Sequence, residues 1–193
     1  MRTTTNVDAN LMHCYVTGRS LTGILHFVNQ CPVDWYSKKQ NTVETATFGS
    51  EFVAARIATE QVMDLRYTLR MLGAPLDGPA WMFGDNESVI TNSTVPQSTL
   101  KKRHNALSYH RVREACAAGV MHFIHTPGKT NVADVLTKYL PWCDMKDKLE
   151  PVLFRRGETM LKDTPPSLRG VTDGNNHLSH VAKSSYVEHR LDA

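Results

Sequence analysis

The chain has 193 residues, a formal net charge of +3 and 41% hydrophobic residues, which fits one folded domain with a real core plus an extension. The mild charge does not by itself indicate nucleic-acid binding, and four scattered cysteines without a CxxC pair argue against a zinc site and against a secreted disulfide scaffold. No stretch reaches transmembrane length and the N-terminus lacks an apolar signal region, so an intracellular protein is expected.

The N-terminal part of the chain predicts three short strands. They are TTTNVDAN, LTGILHFV and PVDWYSKK, separated by the turn residues of TGRS and NQCP. Because short connections join neighbouring strands in opposite directions, these three strands are expected to be antiparallel.

A long amphipathic helix is predicted to follow from about Thr47. Its apolar residues recur at spacings of three and four as far as Leu72, and Gly73 ends it. After a loop, the all-apolar segment AWMFG predicts a strand of the buried kind. A strand that is reached through a helix is normally parallel to its partner, so this fourth strand is expected to be parallel.

The next segments alternate between helices and one more strand. They predict a short helix from NESVITNS, a longer helix from TLKKRHNALSYHRVREACAAG, a fifth strand at VMHFIHT and a final helix, VADVLTKYL, that Pro141 stops. The expected fold is therefore α/β, with a mixed five-stranded sheet (three antiparallel strands, then two parallel ones) flanked by helices.

Four acidic residues, far apart in the sequence, lie at predicted strand ends or on helices: Asp8, Glu51, Asp85 and Asp134. Carboxylates at such points suit a fold that gathers oxygen ligands at one edge of a sheet. Hard ligands without nearby Cys or His select Mg²⁺ or Mn²⁺ over zinc. A lone Asp after a strand is also commonly a solvated turn or a helix cap, so the residues alone leave both interpretations open.

Seven segments within residues 5–142 resemble, in the same order, motifs of the ribonuclease H domain that ends the Pol polyprotein of copia-type retrotransposons. The segments are VDAN, GRSLTG, VDWYSKKQNTV, GSEFVAA, GDNESVI, KKRHNALSYHRVRE and NVADVLTKYL. Each is weak alone, but seven in family order are specific. One departure is Asn10, which stands where the family usually has the second acid of its first motif; the first acid is the ligand, so activity is expected to survive.

The resemblance implies a ribonuclease H-like fold and catalytic metal ligands at Asp8, Glu51, Asp85 and Asp134. In this family such acids hold two Mg²⁺ (or Mn²⁺) ions, and the substrate is the RNA strand of an RNA–DNA hybrid. The resemblance also makes His125 a catalytic candidate, because related ribonucleases H use a histidine here to help protonation or product release. A strand-end histidine exposed to water is the alternative interpretation.

Two groups of basic residues are candidates for nucleic-acid binding. The KKRH group lies just before YHRVRE, which favours a phosphate-contacting surface, although a solvated helix start has the same composition. The second group, at the end of the third strand, could add positive charge beside the hybrid. The candidate residues are Lys38, Lys39, Lys101, Lys102, Arg103 and His104.

The predicted organisation has a ribonuclease H-like domain at residues 1–142, a short helical extension at 143–162 and a disordered tail at 163–193. The predicted function is a metal-dependent endoribonuclease acting on RNA–DNA hybrids, derived from a retrotransposon Pol polyprotein. The reverse transcriptase part of such a polyprotein is a candidate partner, no membrane association is expected, and the expected location is the cytoplasm, a virus-like particle or the nucleus. The alternative is a catalytically silent nucleic-acid-binding or structural remnant, which the short stretch before Asp8 favours.

Overall fold

The computed structural model describes residues 1–100, 102–150 and 152–153, and the chain divides into two units after Lys148. Within the described residues, one five-stranded sheet consists of β1 (Thr3–Asn10), β2 (Leu21–Val28), β3 (Cys31–Lys39), β4 (Ala80–Gly84) and β5 (Met121–His125). The order across the sheet is β3-β2-β1-β4-β5. The β1–β2 and β2–β3 pairs are antiparallel, whereas β1–β4 and β4–β5 are parallel. This confirms the predicted mixed sheet.

The helices of the described residues are α1 (Thr47–Met71), α2 (Glu87–Thr94), α3 (Ala106–Ala117) and α4 (Trp142–Leu149), with two 3₁₀ helices at Arg103–Asn105 and Val132–Leu136. They confirm the predicted α/β class. Across the described part of the chain, no helix has the length and apolar character needed to cross a bilayer.

The core lies between α1 and the sheet. Ala54 and Ala58 are fully buried on α1, and their small side chains let the helix approach the strands closely. Ile24 of β2 and Met82 of β4 are fully buried in the same cluster. Since burying one such large side chain contributes about 1.5–3 kcal/mol, this core holds α1, and with it Glu51, firmly against the sheet.

The longer helix predicted between α2 and β5 begins later than expected. Lys102 is extended, a 3₁₀ turn follows at Arg103–Asn105, and α3 starts only at Ala106. The guanidinium of Arg113 on α3 donates hydrogen bonds to the backbone oxygens of Asn92, Val95 and Pro96. These bonds hold the segment directly after α2 beside α3. Arg113 is therefore engaged within the fold.

The last predicted helix, VADVLTKYL, is only the 3₁₀ helix Val132–Leu136. Side chains of β3 and β1 donate hydrogen bonds to backbone carbonyl groups that would accept intrahelical hydrogen bonds in a longer helix. Ser37 Oγ donates to the oxygen of Leu136 at 2.7 Å, and Asn10 Nδ2 donates to the oxygen of Thr137 at 2.9 Å. The segment is thus held against the sheet by tertiary hydrogen bonds, which replace the intrahelical ones.

The carboxyl ends of β1 and β4 meet at one edge of the sheet, because the two strands are parallel neighbours. Asn6 pairs with Phe83 in this ladder. Asp8 and Asp85 each lie two positions further along the chain, so the pairing brings them to the same edge. The 3₁₀ helix Val132–Leu136 packs against β1 and β2, which adds Asp134 to this edge.

Gly23 of β2 pairs with Asp8 of β1. Because it has no side chain, it allows the 3₁₀ helix Val132–Leu136 to approach β2 closely. A Cβ at this position would lie 2.6 Å from Thr137 Cγ2 and 2.9 Å from the oxygen of Ala133. We expect Gly23→Ala to displace the 3₁₀ helix and to lower the free energy of unfolding by about 1–3 kcal/mol, the usual cost of overpacking. Urea denaturation measures this, and an unchanged stability would contradict the close packing.

Candidate metal centre

Three carboxylates meet at this edge of the sheet. Asp8, Asp85 and Asp134 each offer one oxygen, and these oxygens lie within 4.8 Å of one another. Asp8 is fully buried, Asp134 is buried and Asp85 is half-buried. The structure therefore brings together three of the four predicted acids, which come from β1, from the residue after β4 and from the 3₁₀ helix.

Glu51, the fourth predicted acid, lies beside this group. It is in the first turns of α1 and is half-buried. Burial, followed by the negative charges of Asp8 and Asp85, raises the pKa of Glu51 well above its ordinary value, while Lys138 and a backbone hydrogen bond with Ala9 act in the opposite direction. The influence of the two aspartates shows that Glu51 shares their electrostatic environment.

Asn131 positions Asp134 relative to Asp8. Its side chain is fully buried, and its Nδ2 donates to the backbone oxygen of Val7, the neighbour of Asp8, at 2.9 Å. Its Oδ1 accepts from the backbone N–H of Ala133 at 3.1 Å and so caps the 3₁₀ helix. Sequence reasoning missed Asn131, although an Asn just before VADVL is a helix-start signal.

Lys138 places a positive charge between two of the acids. Its Nζ lies 2.7 Å from Asp134 Oδ1 and 3.3 Å from Asp8 Oδ1. Burial alone would lower the pKa of Lys138, but the two carboxylates raise it above its ordinary value. Burial raises the pKa of Asp8, and Lys138 together with the hydroxyl of Thr137, which donates to Asp8 Oδ2, opposes this rise.

Lys148 of α4 contacts the same group through the other oxygen of Asp134. Its Nζ lies 2.9 Å from Asp134 Oδ2, and it also donates to the backbone oxygens of Gly128, Lys129 and Asn131. Sequence reasoning missed Lys148 as well. It lies in the predicted extension, beyond the last family motif, and backbone acceptors leave no signal in a sequence.

The end of β5 and the loop after it lie against Asp85. His125 is exposed, and its Nε2 is 3.2 Å from the backbone oxygen of Asp85. A Cβ on Gly128 would lie 3.2 Å from Asp85 Oδ2. The candidate His125 is therefore a close neighbour of the candidate ligand Asp85.

The described basic candidates lie near the same edge, and Lys101 falls outside the described residues. Lys102 Nζ lies over the ring of Phe48, 5.9 Å from its centre. Phe48 is one helical turn before Glu51 on α1. His104 Nε2 is 3.5 Å from the buried Glu44, and Arg103 is exposed. The exposed Lys38 and Lys39 end β3 and pair with the first residues of β2.

The donor set fits a hard divalent cation. All the converging ligand atoms of the three aspartates are carboxylate oxygens, which Mg²⁺ and Mn²⁺ prefer. The raised pKa values of Asp8 and Glu51 reflect burial and crowded negative charge that a bound cation would relieve. Asp8, Asp85 and Asp134 could hold the cation directly, and Glu51 is placed to assist them.

Solved structures that the chain resembles define its fold. Ribonuclease H1 of Halobacterium salinarum NRC-1 has a TM-score of 0.53 at 17% identity, covering 71% of this chain and 95% of that one. LC11-RNase H1, solved in complex with an RNA/DNA hybrid, has a TM-score of 0.52 at 17% identity, covering 70% and 94%. The chain therefore has the ribonuclease H fold.

The relatives found by sequence are retrovirus-related Pol polyproteins of plant transposons. That of transposon RE2 of Arabidopsis thaliana is 26% identical over 152 residues, covering 79% of this chain, and that of TNT 1-94 of Nicotiana tabacum is 26% identical over 134 residues, covering 69%. The chain spans 10% of the length of each. No protein-family model matches the chain. Fold and relatives together confirm the resemblance to the ribonuclease H domain of a copia-type Pol polyprotein.

The raised pKa of Glu51 makes its contribution to stability depend on pH. Stability from an acid whose pKa is higher in the folded state is present below the unfolded pKa and is lost as the pH rises through the folded pKa. In EDTA, the free energy of unfolding of Glu51→Gln relative to wild type should grow by about 1.4 kcal/mol per pH unit above roughly pH 4.3. The growth should stop once Glu51 is ionised in the folded wild type.

Urea denaturation at a series of pH values measures this difference. Glu60→Gln is the matched control, because Glu60 lies on the same helix with an exposed side chain paired to Arg56. A constant difference between Glu51→Gln and wild type from roughly pH 4.5 to 7, a range above the ordinary Glu pKa of about 4.3, would contradict the crowded environment of Glu51.

Proposed function

We propose that this domain is a metal-dependent endoribonuclease that cleaves the RNA strand of RNA–DNA hybrids and that it derives from a retrotransposon Pol polyprotein. The observation that supports this most strongly is the convergence of Asp8, Asp85 and Asp134 within 4.8 Å at one edge of a ribonuclease H fold. Two Mg²⁺ or Mn²⁺ ions bound there would supply a nucleophilic water at neutral pH and stabilise the departing 3′ oxygen.

The protein side chains have separate tasks in this proposal. Asp8, Glu51, Asp85 and Asp134 hold the cations, and burial of Asp8 and Asp134 keeps bulk water from competing for their oxygens. His125, which is exposed beside Asp85, would exchange a proton with solvent during turnover or product release.

The proposed substrate rests on a solved structure with the same fold and on the basic residues near the aspartates, called here the basic edge. LC11-RNase H1, which shares the fold, was solved with an RNA/DNA hybrid. We extend this binding to the present chain, with phosphates contacted by the candidates Lys38, Lys39, Lys101, Lys102, Arg103 and His104. Because the relatives are Pol polyproteins, the reverse transcriptase part of such a polyprotein is the proposed partner.

One observation favours the second candidate function, a silent nucleic-acid-binding remnant. Lys138 and Lys148 already neutralise Asp8 and Asp134 without any metal ion. A site whose acids are compensated in this way can keep its fold after catalysis has been lost. Hybrid binding without metal-dependent cleavage would support this candidate.

Removing one ligand charge tests the enzyme proposal. Asp85→Asn keeps the shape of the side chain but removes its charge, so hybrid cleavage in Mg²⁺ should fall by at least about 100-fold, since a lost ligand removes several kcal/mol of charge stabilisation. A gel assay with a labelled hybrid, in Mg²⁺ and in EDTA, measures the rate.

Asp64→Asn is the matched control for this test. Asp64 is an exposed aspartate of α1, roughly 20 Å from Glu51 along the helix at 1.5 Å per residue, and its replacement should leave cleavage unchanged. Cleavage by Asp85→Asn at the wild-type rate would refute the proposed centre.

The salt dependence of hybrid binding tests the basic edge. Replacing Lys102 and Arg103 with Ala should weaken binding and reduce the slope of log affinity against log salt by about two, since each lost phosphate contact removes about one released counterion. Fluorescence anisotropy in EDTA with a labelled hybrid measures the slope. The control replaces Arg2 and Arg70, at the far ends of β1 and α1, and should keep it. Equal slopes for the two variants would show that Lys102 and Arg103 are merely solvated.

A further inference from the structure

Lys148 is an unusual lysine because its ammonium group is almost enclosed by protein. The residue is 8% exposed, although most of the other residues of α4 are exposed. Burying a charged group costs several kcal/mol unless it is paired and hydrogen-bonded. Four oxygens surround the ammonium group of Lys148: three from the backbone and one from Asp134.

The two lysines of the site divide the oxygens of Asp134 between them. Lys148 binds Oδ2 at 2.9 Å, and Lys138 binds Oδ1 at 2.7 Å. Lys138 also reaches Asp8 Oδ1 at 3.3 Å, so it joins the two carboxylates through Asp134 Oδ1. With Oδ2 held by Lys148, the carboxylate of Asp134 cannot rotate without losing a buried ion pair.

The backbone oxygens that Lys148 binds belong to the loop that also contacts Asp85 and the residue before Asp8. Gly128, whose oxygen is 2.6 Å from Lys148 Nζ, lies against Asp85. Asn131, whose oxygen is 3.1 Å away, is bonded through its side chain to the residue before Asp8. One ammonium group therefore joins Asp134 to the loop that packs on Asp85 and is bonded beside Asp8.

We propose that Lys148 is a positioning residue of the metal centre, which orients Asp134 and the Gly128–Asn131 loop so that the three aspartates present their oxygens to one cation site. The inference rests on the proposed function, because it requires that the carboxylates bind metal. Lys148 itself does not touch the cation. It acts on the ligand as outer partners do at other metal sites, where their removal typically weakens metal binding by about 10–100-fold.

Mn²⁺ titration of the full chain by calorimetry, without nucleic acid, tests the inference. Lys148→Met keeps the aliphatic stem and removes the ammonium group, so the dissociation constant for Mn²⁺ should rise by about 10–100-fold. Lys146→Met is the matched control, because Lys146 is an exposed lysine of the same helix, and it should bind Mn²⁺ as the wild type does.

A second readout separates positioning from a purely structural role. If Lys148 acts through Asp134, Lys148→Met should change Mn²⁺ affinity much less in an Asp134→Asn background, and saturating Mn²⁺ should raise its melting temperature less than that of the wild type. A loss of stability that is equal with and without Mn²⁺, at unchanged affinity, would overturn the inference. An affinity that rises would do so too, since Lys148 would then act mainly as a repelling charge.

If Lys148→Met does not fold, Lys148→Arg takes its place in the titration. A planar guanidinium keeps the charge, but it is longer and holds its N–H groups in one plane, so it does not match the oxygens around the compact ammonium group. Severalfold weaker Mn²⁺ binding is therefore expected, and unchanged binding would overturn the inference. A wild-type chain that binds no Mn²⁺ would refute the proposed function together with the inference. Wild-type binding with an unaffected Lys148→Met would refute the inference alone.

Discussion

Repulsion between carboxylates is the constraint on which this structure depends. One oxygen of each of the three aspartates lies within 4.8 Å of the others. At that distance two unit charges repel each other by about 3.5 kcal/mol at an effective dielectric constant of about 20. Asp8 and Asp134 are both buried, so water screens them little. The fold supplies positive charge instead, with Lys138 between the two acids and Lys148 behind Asp134.

The irregular features near the site follow from hydrogen bonds and close packing between the 3₁₀ helix and the sheet. A 3₁₀ helix, and not a full α-helix, carries Asp134, because Ser37 and Asn10 bind the carbonyl groups at its end. Gly23 gives this segment room to lie on β2. Asn10, which stands at the family's second acid, therefore has a structural task here. The departure from the family motif replaces one negative charge at this crowded edge with a hydrogen-bond donor.

The strands, α1 and α2 could be predicted from the sequence because their signals are local. Alternating or continuous apolar residues, turn residues and helical spacing all lie within the elements themselves. The sequence places the start of α3 too early, because the 3₁₀ turn Arg103–Asn105 that precedes it has the same local helical signal as the helix itself. The end of the last helix depends on Ser37 and Asn10, far away in the sequence.

In the candidate site too, residues with a local sequence signal could be predicted and those defined by distant contacts could not. The motifs led to Asp8, Asp85 and Asp134, which the structure brings together, and to Glu51, which it places beside them. The motifs could not lead to Lys148, because three of its four partners are backbone oxygens. The predicted boundaries at residues 142 and 162 stay predictions, since most residues after 150 lie outside the described part of the chain.

Anomalous diffraction from crystals soaked in Mn²⁺ tests the central claim most directly. The account predicts strong Mn²⁺ peaks bound directly by oxygens of Asp8, Asp85 and Asp134. It also predicts that Lys138 Nζ moves away from Asp8 while Lys148 keeps its contact with Asp134. Peaks elsewhere only, or carboxylates still paired with Lys138 in saturating Mn²⁺, would contradict the claim that this edge is a metal centre.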